Sequence, residues 1–213
     1  TGSGKSTIVK LALRFYDVSQ GSVTIDGIDV RDVSQHALRE QLGYVPQKAF
    51  LFSGTISSNI AYGAEGADDE RIREAADIAQ ASEFIDEKPE GFGSPVAQGG
   101  TNVSGGQRQR LAIARALATD ARVFLFDDSF SALDYKTDAA LRHELEARLG
   151  GKTVIIVAQR ISTVLSADQI IVLDEGRVVG KGTHAELMEQ CEEYREIAMS
   201  QLSEEELEGG GVR

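Results

Sequence analysis

The run Val123-Phe124-Leu125-Phe126 constrains this chain more than any other stretch. Four apolar residues stand in a row, and two carboxylates, Asp127 and Asp128, follow at once. A strand of that kind has no face fit for water, so it belongs in the middle of a parallel sheet covered by helices on both sides. Residues 153–157 read as a second buried strand. Strands alternating with helical segments over the rest of the chain make the expected fold class α/β. At 213 residues, 41% of them hydrophobic, the chain is long enough for one large domain with a subdomain and a substantial core.

The remaining elements follow from pattern and punctuation. Residues 1–6 form a glycine-rich loop and 6–13 a helix; 23–25 is a short strand turned by Asp26-Gly27. Residues 32–40 read as helical, and 42–45 as a strand that ends before Pro46. From 53 to 118 the pattern is mostly helical, with loops at 63–66 and 89–100. A helix over 138–149 precedes the second buried strand. Residues 169–173 and 177–181 flank Asp174-Glu175-Gly176, a hairpin signal, and helices follow at 183–189 and 192–200. The expected division is 1–52 and 119–202 for the two parts of the core, 53–118 for a helical subdomain, and 203–213 for a disordered, acidic and then glycine-rich tail.

Composition narrows the function classes. Asp and Glu number 34 against 22 Lys and Arg, a net charge of −12. Such a surface lacks the basic character that displaces counterions from nucleic acid, so no nucleic-acid partner is expected. Cys191 is the single cysteine, which rules out an internal disulfide and reads as a small buried apolar residue. No apolar run approaches the roughly 18 to 20 residues of a membrane helix. The chain opens inside a motif rather than at Met, so it reads as a fragment whose membrane-spanning part lies upstream.

That opening motif is Thr1-Gly2-Ser3-Gly4-Lys5-Ser6-Thr7, the end of the pattern G-x-x-x-x-G-K-[ST]. Its glycines let backbone N–H groups converge on phosphate oxygens, and the helix behind adds its positive end. Lys5 would reach the β and γ phosphates, and Ser6 would ligate Mg²⁺. Asp127, at the tip of the central strand, stands where ligands bind in open α/β sheets, and its carboxylate would hold the same Mg²⁺. Ser104-Gly105-Gly106-Gln107 is a capping box by its chemistry, Ser-x-x-Gln. Its two glycines also leave a helix N-terminus bare enough to meet an anion.

Together, the phosphate loop, the Asp127 strand and Val103-Ser104-Gly105-Gly106-Gln107 resemble the ABC transporter ATPases over essentially the whole chain. The resemblance implies a P-loop NTPase (RecA-like) core with a parallel sheet and an α-helical subdomain specific to that family. It also implies ATP and Mg²⁺ as ligands. Two such domains meet head to tail, so that each signature segment (here Val103 to Gln107) caps the ATP on the other's phosphate loop. Gln47 resembles the glutamine that senses Mg²⁺ and the membrane domain. Ser131-Ala132-Leu133-Asp134 resembles the loop that runs along the dimer interface. Phe52-Ser53-Gly54-Thr55-Ile56 and Asn59-Ile60 resemble the exporter branch, with a fused membrane domain and a place on the cytoplasmic face of a bacterial membrane.

Two positions depart from the family pattern. Asp128 stands where a catalytic glutamate is usual, and Gln159 where a histidine is usual. The shorter carboxylate stops roughly an ångström short, a misplacement that can cost about 10²-fold in rate, or about 3 kcal/mol of barrier. Glutamine still hydrogen-bonds a γ-phosphate but carries no charge. The pair resembles the degenerate half of heterodimeric bacterial exporters, so the expected partner is a non-identical second nucleotide-binding domain. Alternatives are a homodimeric exporter with slow hydrolysis, a non-transport ABC ATPase, and a binding module without turnover. A further departure is Val96-Ala97-Gln98-Gly99-Gly100, where exporters often carry an acidic stretch that touches the membrane domain.

Overall fold

The computed structural model describes residues 2–202. Thr1 lies outside them, as does the tail 203–213, and with them the phosphate-loop role expected of Thr1 and the expected tail disorder. The chain opens with helix α1 (Lys5–Ala12), a short antiparallel pair β1 (Thr24–Ile25) and β2 (Ile28–Asp29), helix α2 (Gln35–Glu40) and strand β3 (Leu42–Val45). Next come β4 (Gly54–Thr55), α3 (Ile56–Ile60), α4 (Asp69–Ile78), α5 (Ser82–Asp86), β5 (Pro95–Val96) and the long α6 (Gly105–Leu117). The second half runs β6 (Val123–Asp127), α7 (Tyr135–Arg148), β7 (Thr153–Val157), β8 (Ile170–Asp174), β9 (Arg177–Gly182), α8 (His184–Gln190) and α9 (Glu192–Gln201).

The central sheet is parallel, in the order β3-β6-β7, with Val45 opposite Phe126 and Asp127 opposite Val157. The apolar run takes the middle position, as its lack of a polar face requires. Phe124 and Phe126 are fully buried, and truncating such a residue costs about 3–5 kcal/mol. Gly43 explains how β3 fits beside it: a Cβ there would stand 2.6 Å from the Phe124 ring. The outcome differs for 153–157. Ile155 is 43% exposed, on a strand that pairs with β6 alone among the described strands.

Other differences trace to caps. Ser34 accepts from the Ala37 N–H, so α2 starts at Gln35 rather than residue 32. Asp134 caps α7 in the same way, so that helix starts at Tyr135, three residues before the expected 138. Within 53–118, Gly54 pairs with Val96 and Thr55 with Pro95, adding a small antiparallel pair to the helices. One apolar cluster runs from α3, α4 and α6 through Phe124 and Phe126 to Leu141 and Leu145 of α7. A second joins β8 to α8 and α9, and a third packs Val9 of α1 against Leu42 and Leu125. The last cluster sets the phosphate loop above the end of β6. Cys191 is buried, as its composition implied, between α8 and α9.

Candidate functional site

The loop ahead of α1 needs its glycines. Gly2 and Gly4 sit at φ of 91° and 92°, a region that side chains enter with strain. A Cβ at either would meet nothing within 4 Å, so the space over the loop is open. Gly4 caps α1 without a side chain, leaving the helix's positive end uncovered. The Lys5 Nζ donates to Ser3 Oγ at 2.9 Å, folding its ammonium back over the loop.

Ser6 Oγ donates to Asp127 Oδ1 at 2.6 Å, a contact spanning 121 residues of sequence. Asp127 is 3% exposed. Beside it on β3, the Tyr44 phenol is pushed above its ordinary value, first by burial and then by the Asp127 charge. A hydroxyl and a carboxylate oxygen this close offer hard oxygen donors to one cation. The Gln47 Nε2 is engaged by Asp128, which leaves its amide oxygen without a hydrogen-bond role there. Oxygen donors with a single carboxylate suit Mg²⁺, which keeps waters and shares phosphate oxygens. Among the described residues no three His, Cys, Asp or Glu gather. The residues therefore fit Mg²⁺ held jointly with a phosphate.

Asp128 is the hub of the site. Its φ is 50°, left-handed for a residue other than glycine, and it is buried. Its N–H donates to the Val157 carbonyl at 2.9 Å, which continues the β6–β7 ladder by one step. Its Oδ2 accepts two side-chain amides, Gln47 Nε2 and Gln159 Nε2, each at 2.8 Å. Gln47, Asp128 and Gln159 thus converge on one oxygen atom. The Ser131 hydroxyl donates to the Asp128 carbonyl at 2.8 Å and anchors the next loop to the same hub.

The signature residues lie apart from this hub. Ser104 Oγ accepts from the Gln107 N–H, and Gln107 Oε1 from the Ser104 N–H, each at 3.2 Å. The capping box expected from chemistry alone is present. Val103 is buried, Ser104 and Gly105 are exposed, and a Cβ on Gly105 would meet nothing within 4 Å. A Cβ on Gly106 would lie 3.7 Å from the Ala132 carbonyl, so the 131–134 loop abuts the signature turn. Leu133 is buried, and Asp134 accepts from the Thr137 N–H and hydroxyl, which hold its carboxyl below the usual carboxylate range. Among the described residues no hydrogen bond joins Ser104, Gly105, Gly106 or Gln107 to the phosphate loop, Asp127 or Asp128.

Gln109 went unnoticed in sequence. It is 3% exposed on α6, and its Nε2 donates to the Pro46 carbonyl at 3.3 Å, tying the signature helix to the loop of Gln47. Between Arg108 and Arg110 it reads as part of a solvated polar run. The helical period does set it on the face of Ala112, Ile113 and Ala116, but burial of an amide is not written in a local pattern.

A family model described as ABC transporter matches residues 1–131. An uncharacterized ABC transporter ATP-binding protein of Mycobacterium tuberculosis is 49% identical over 205 residues, covering 94% of this chain and 35% of that protein. An ATP-dependent lipid A-core flippase of Vibrio cholerae is 46% identical over 205 residues, covering 96% and 35%. The solved structure of a bacterial Atm1-family ABC exporter with ATP bound superposes with a TM-score of 0.92 at 41% identity, over 96% of this chain and 36% of that one. The chain spans about a third of the length of these relatives. The sheet and loop are those of a P-loop NTPase, and the chain belongs to the ABC transporter family.

Proposed function

We propose that this chain is the ATP-binding domain of a bacterial ABC exporter, working on the cytoplasmic face of the membrane, and that its own ATP site turns over slowly. Lys5 neutralises the β and γ phosphates, the N–H groups around Gly2 and Gly4 cradle them, and Ser6 with Asp127 and Gln47 hold Mg²⁺. A bound Mg²⁺ supplies charge neutralisation on the transferred phosphoryl group. Two such domains close head to tail, with Ser104 to Gln107 capping the partner's ATP and 131–134 running along the seam. A fused membrane-spanning part converts that closure into export.

One observation carries the slow-turnover reading: Asp128 Oδ2 accepts both the Gln47 and Gln159 amides at 2.8 Å. A carboxylate oxygen has about two lone-pair directions, and both of those on Oδ2 face amides, which leaves only Oδ1 of this short side chain to meet a water. Asp128 acts as a tie between two loops. The chain's shorter reach at this position, and an uncharged Gln159 across from it, point the same way. The partner would then carry the competent site, completed by this chain's signature, and would be a non-identical half-transporter. The ATP on Lys5 would stay bound and act as a clamp.

The test measures ATP hydrolysis by the full-length protein with and without its partner half. Asp128→Glu combined with Gln159→His is expected to raise hydrolysis at this site by about 10²-fold, the cost of an ångström-scale misplacement. Ordinary turnover by the unaltered protein as a homodimer would overturn the slow-site reading and favour the homodimeric exporter.

A further inference from the structure

The loop that carries Gln159 is gripped from behind by the end of the last described helix. Gln201, at the C-terminus of α9, donates from Nε2 to the Gln159 carbonyl at 3.0 Å. Its Oε1 accepts from the Ile161 N–H at 2.8 Å. One carboxamide thus clamps the backbone on both sides of Arg160. Both ends of the amide dipole are used, so the grip fixes orientation as well as position. Gln159 and Arg160 are exposed, and the following turn Ile161–Thr163 is a single 3₁₀ turn whose Thr163 N–H donates to the Arg160 carbonyl at 3.2 Å. Leu202, next to Gln201, is buried against the cluster of Ile161, Ile170 and Tyr194, which anchors the helix end.

We infer that Gln201 is a positioning residue for the nucleotide site, holding the backbone of Gln159 so that its side chain stays aimed at Asp128. The chain of contacts runs from Gln201 to the Gln159 carbonyl, from Gln159 Nε2 to Asp128 Oδ2, and from there to Gln47. The last described helix and the loop of Gln47 are thereby linked through one carboxylate. Displacing the end of α9 would loosen the far side of the site without touching the phosphate loop. The inference rests on the proposed ATP site for its functional consequence, but not for the clamp itself.

The experiment uses the full-length protein and three single variants, Gln201→Ala, Gln201→Glu and Gln159→Ala, with the double variant of Gln201→Ala and Gln159→Ala. Hydrogen exchange without nucleotide is measured over residues 158–163, and the release rate of ATP from this site is measured beside it. Gln201→Ala should speed exchange of the Ile161 amide about tenfold, the scale of one ordinary hydrogen bond. Gln201→Glu keeps the acceptor for Ile161 and should restore that protection while losing the grip on Gln159. ATP release should quicken about fivefold in Gln201→Ala, and no further in the double variant than in Gln159→Ala. Unchanged exchange in Gln201→Ala overturns the clamp. An effect of Gln201→Ala on ATP release that persists without the Gln159 side chain overturns its action through Gln159. If the unaltered protein retains no ATP, the proposed site falls, and the exchange difference alone decides the clamp.

Discussion

Asp127 keeps a carboxylate almost out of solvent, with Ser6 Oγ 2.6 Å from one of its oxygens. A buried charge is costly unless compensated, and a shared cation is the compensation this geometry fits. Asp127→Asn keeps the shape and the contact with Ser6 but removes the charge. The unaltered protein should bind ATP at least about tenfold more tightly with Mg²⁺ than with a chelator, and the variant equally in both. Calorimetric titration checks this, and a variant that still gains from Mg²⁺ would remove Asp127 from the metal's surroundings. The phosphate-loop pattern was legible at this scale, because phosphate cradling needs glycines, a lysine and a hydroxyl at consecutive positions. That Gln47 and Gln159 share one oxygen of Asp128 was not legible. They are 81 and 31 residues from it in sequence, and each alone is an ordinary exposed glutamine.

At the scale of elements, α8 and α9 form a hairpin hinged at Cys191, which ends one helix and starts the other. Gly180 on β9 lets the hairpin close, since a Cβ there would lie 2.7 Å from Cys191 Sγ. His184 Nδ1 and the Tyr194 hydroxyl are 2.8 Å apart across it. Burial lowers the His184 pKa from its ordinary 6.5, so the unfolded chain takes up the proton first as the pH falls. Stability therefore declines as the pH drops through about 6.5. Burial pushes the Tyr194 phenol up to about 12, from an ordinary 10. Its contribution is present below pH 10 and is lost as the pH rises through about 12. Thermal melts across pH should show both declines. His184→Gln should flatten the acid side and Tyr194→Phe the alkaline side; unchanged slopes would count against these assignments. The helices themselves were legible from their period, but two starts were missed. Asp134 was read as the end of an interface loop and is also the N-cap of α7, whose first residues Tyr135 and Lys136 are exposed and carry no apolar period.

The whole molecule carries a net charge of −12, and self-repulsion of that size works against the compact state. Raising salt from about 10 to about 150 mM shrinks the screening length from ~30 to ~8 Å. The melting temperature should rise with it by a few degrees, and a flat or falling response would show that attractive pairs outweigh the repulsion. A single apolar cluster joins the helical segment to the sheet, with Phe124 and Phe126 beside Ile56, Ile60 and Leu111. Arg115 of α6 reinforces that joint, donating to the Asn59 and Phe50 carbonyls at 2.9 Å. By itself the sequence determined the α/β class, the central place of β6 and the family to which the chain belongs. Those properties depend on consecutive residues, through strand polarity, helix period and loop spacing. Only the tertiary structure decided that Asp128 ties two glutamines together and that Gln109 and Gln201 brace their loops. Such pairings depend on distances through space between residues far apart in the chain, and no local pattern of hydrophobicity or charge encodes them.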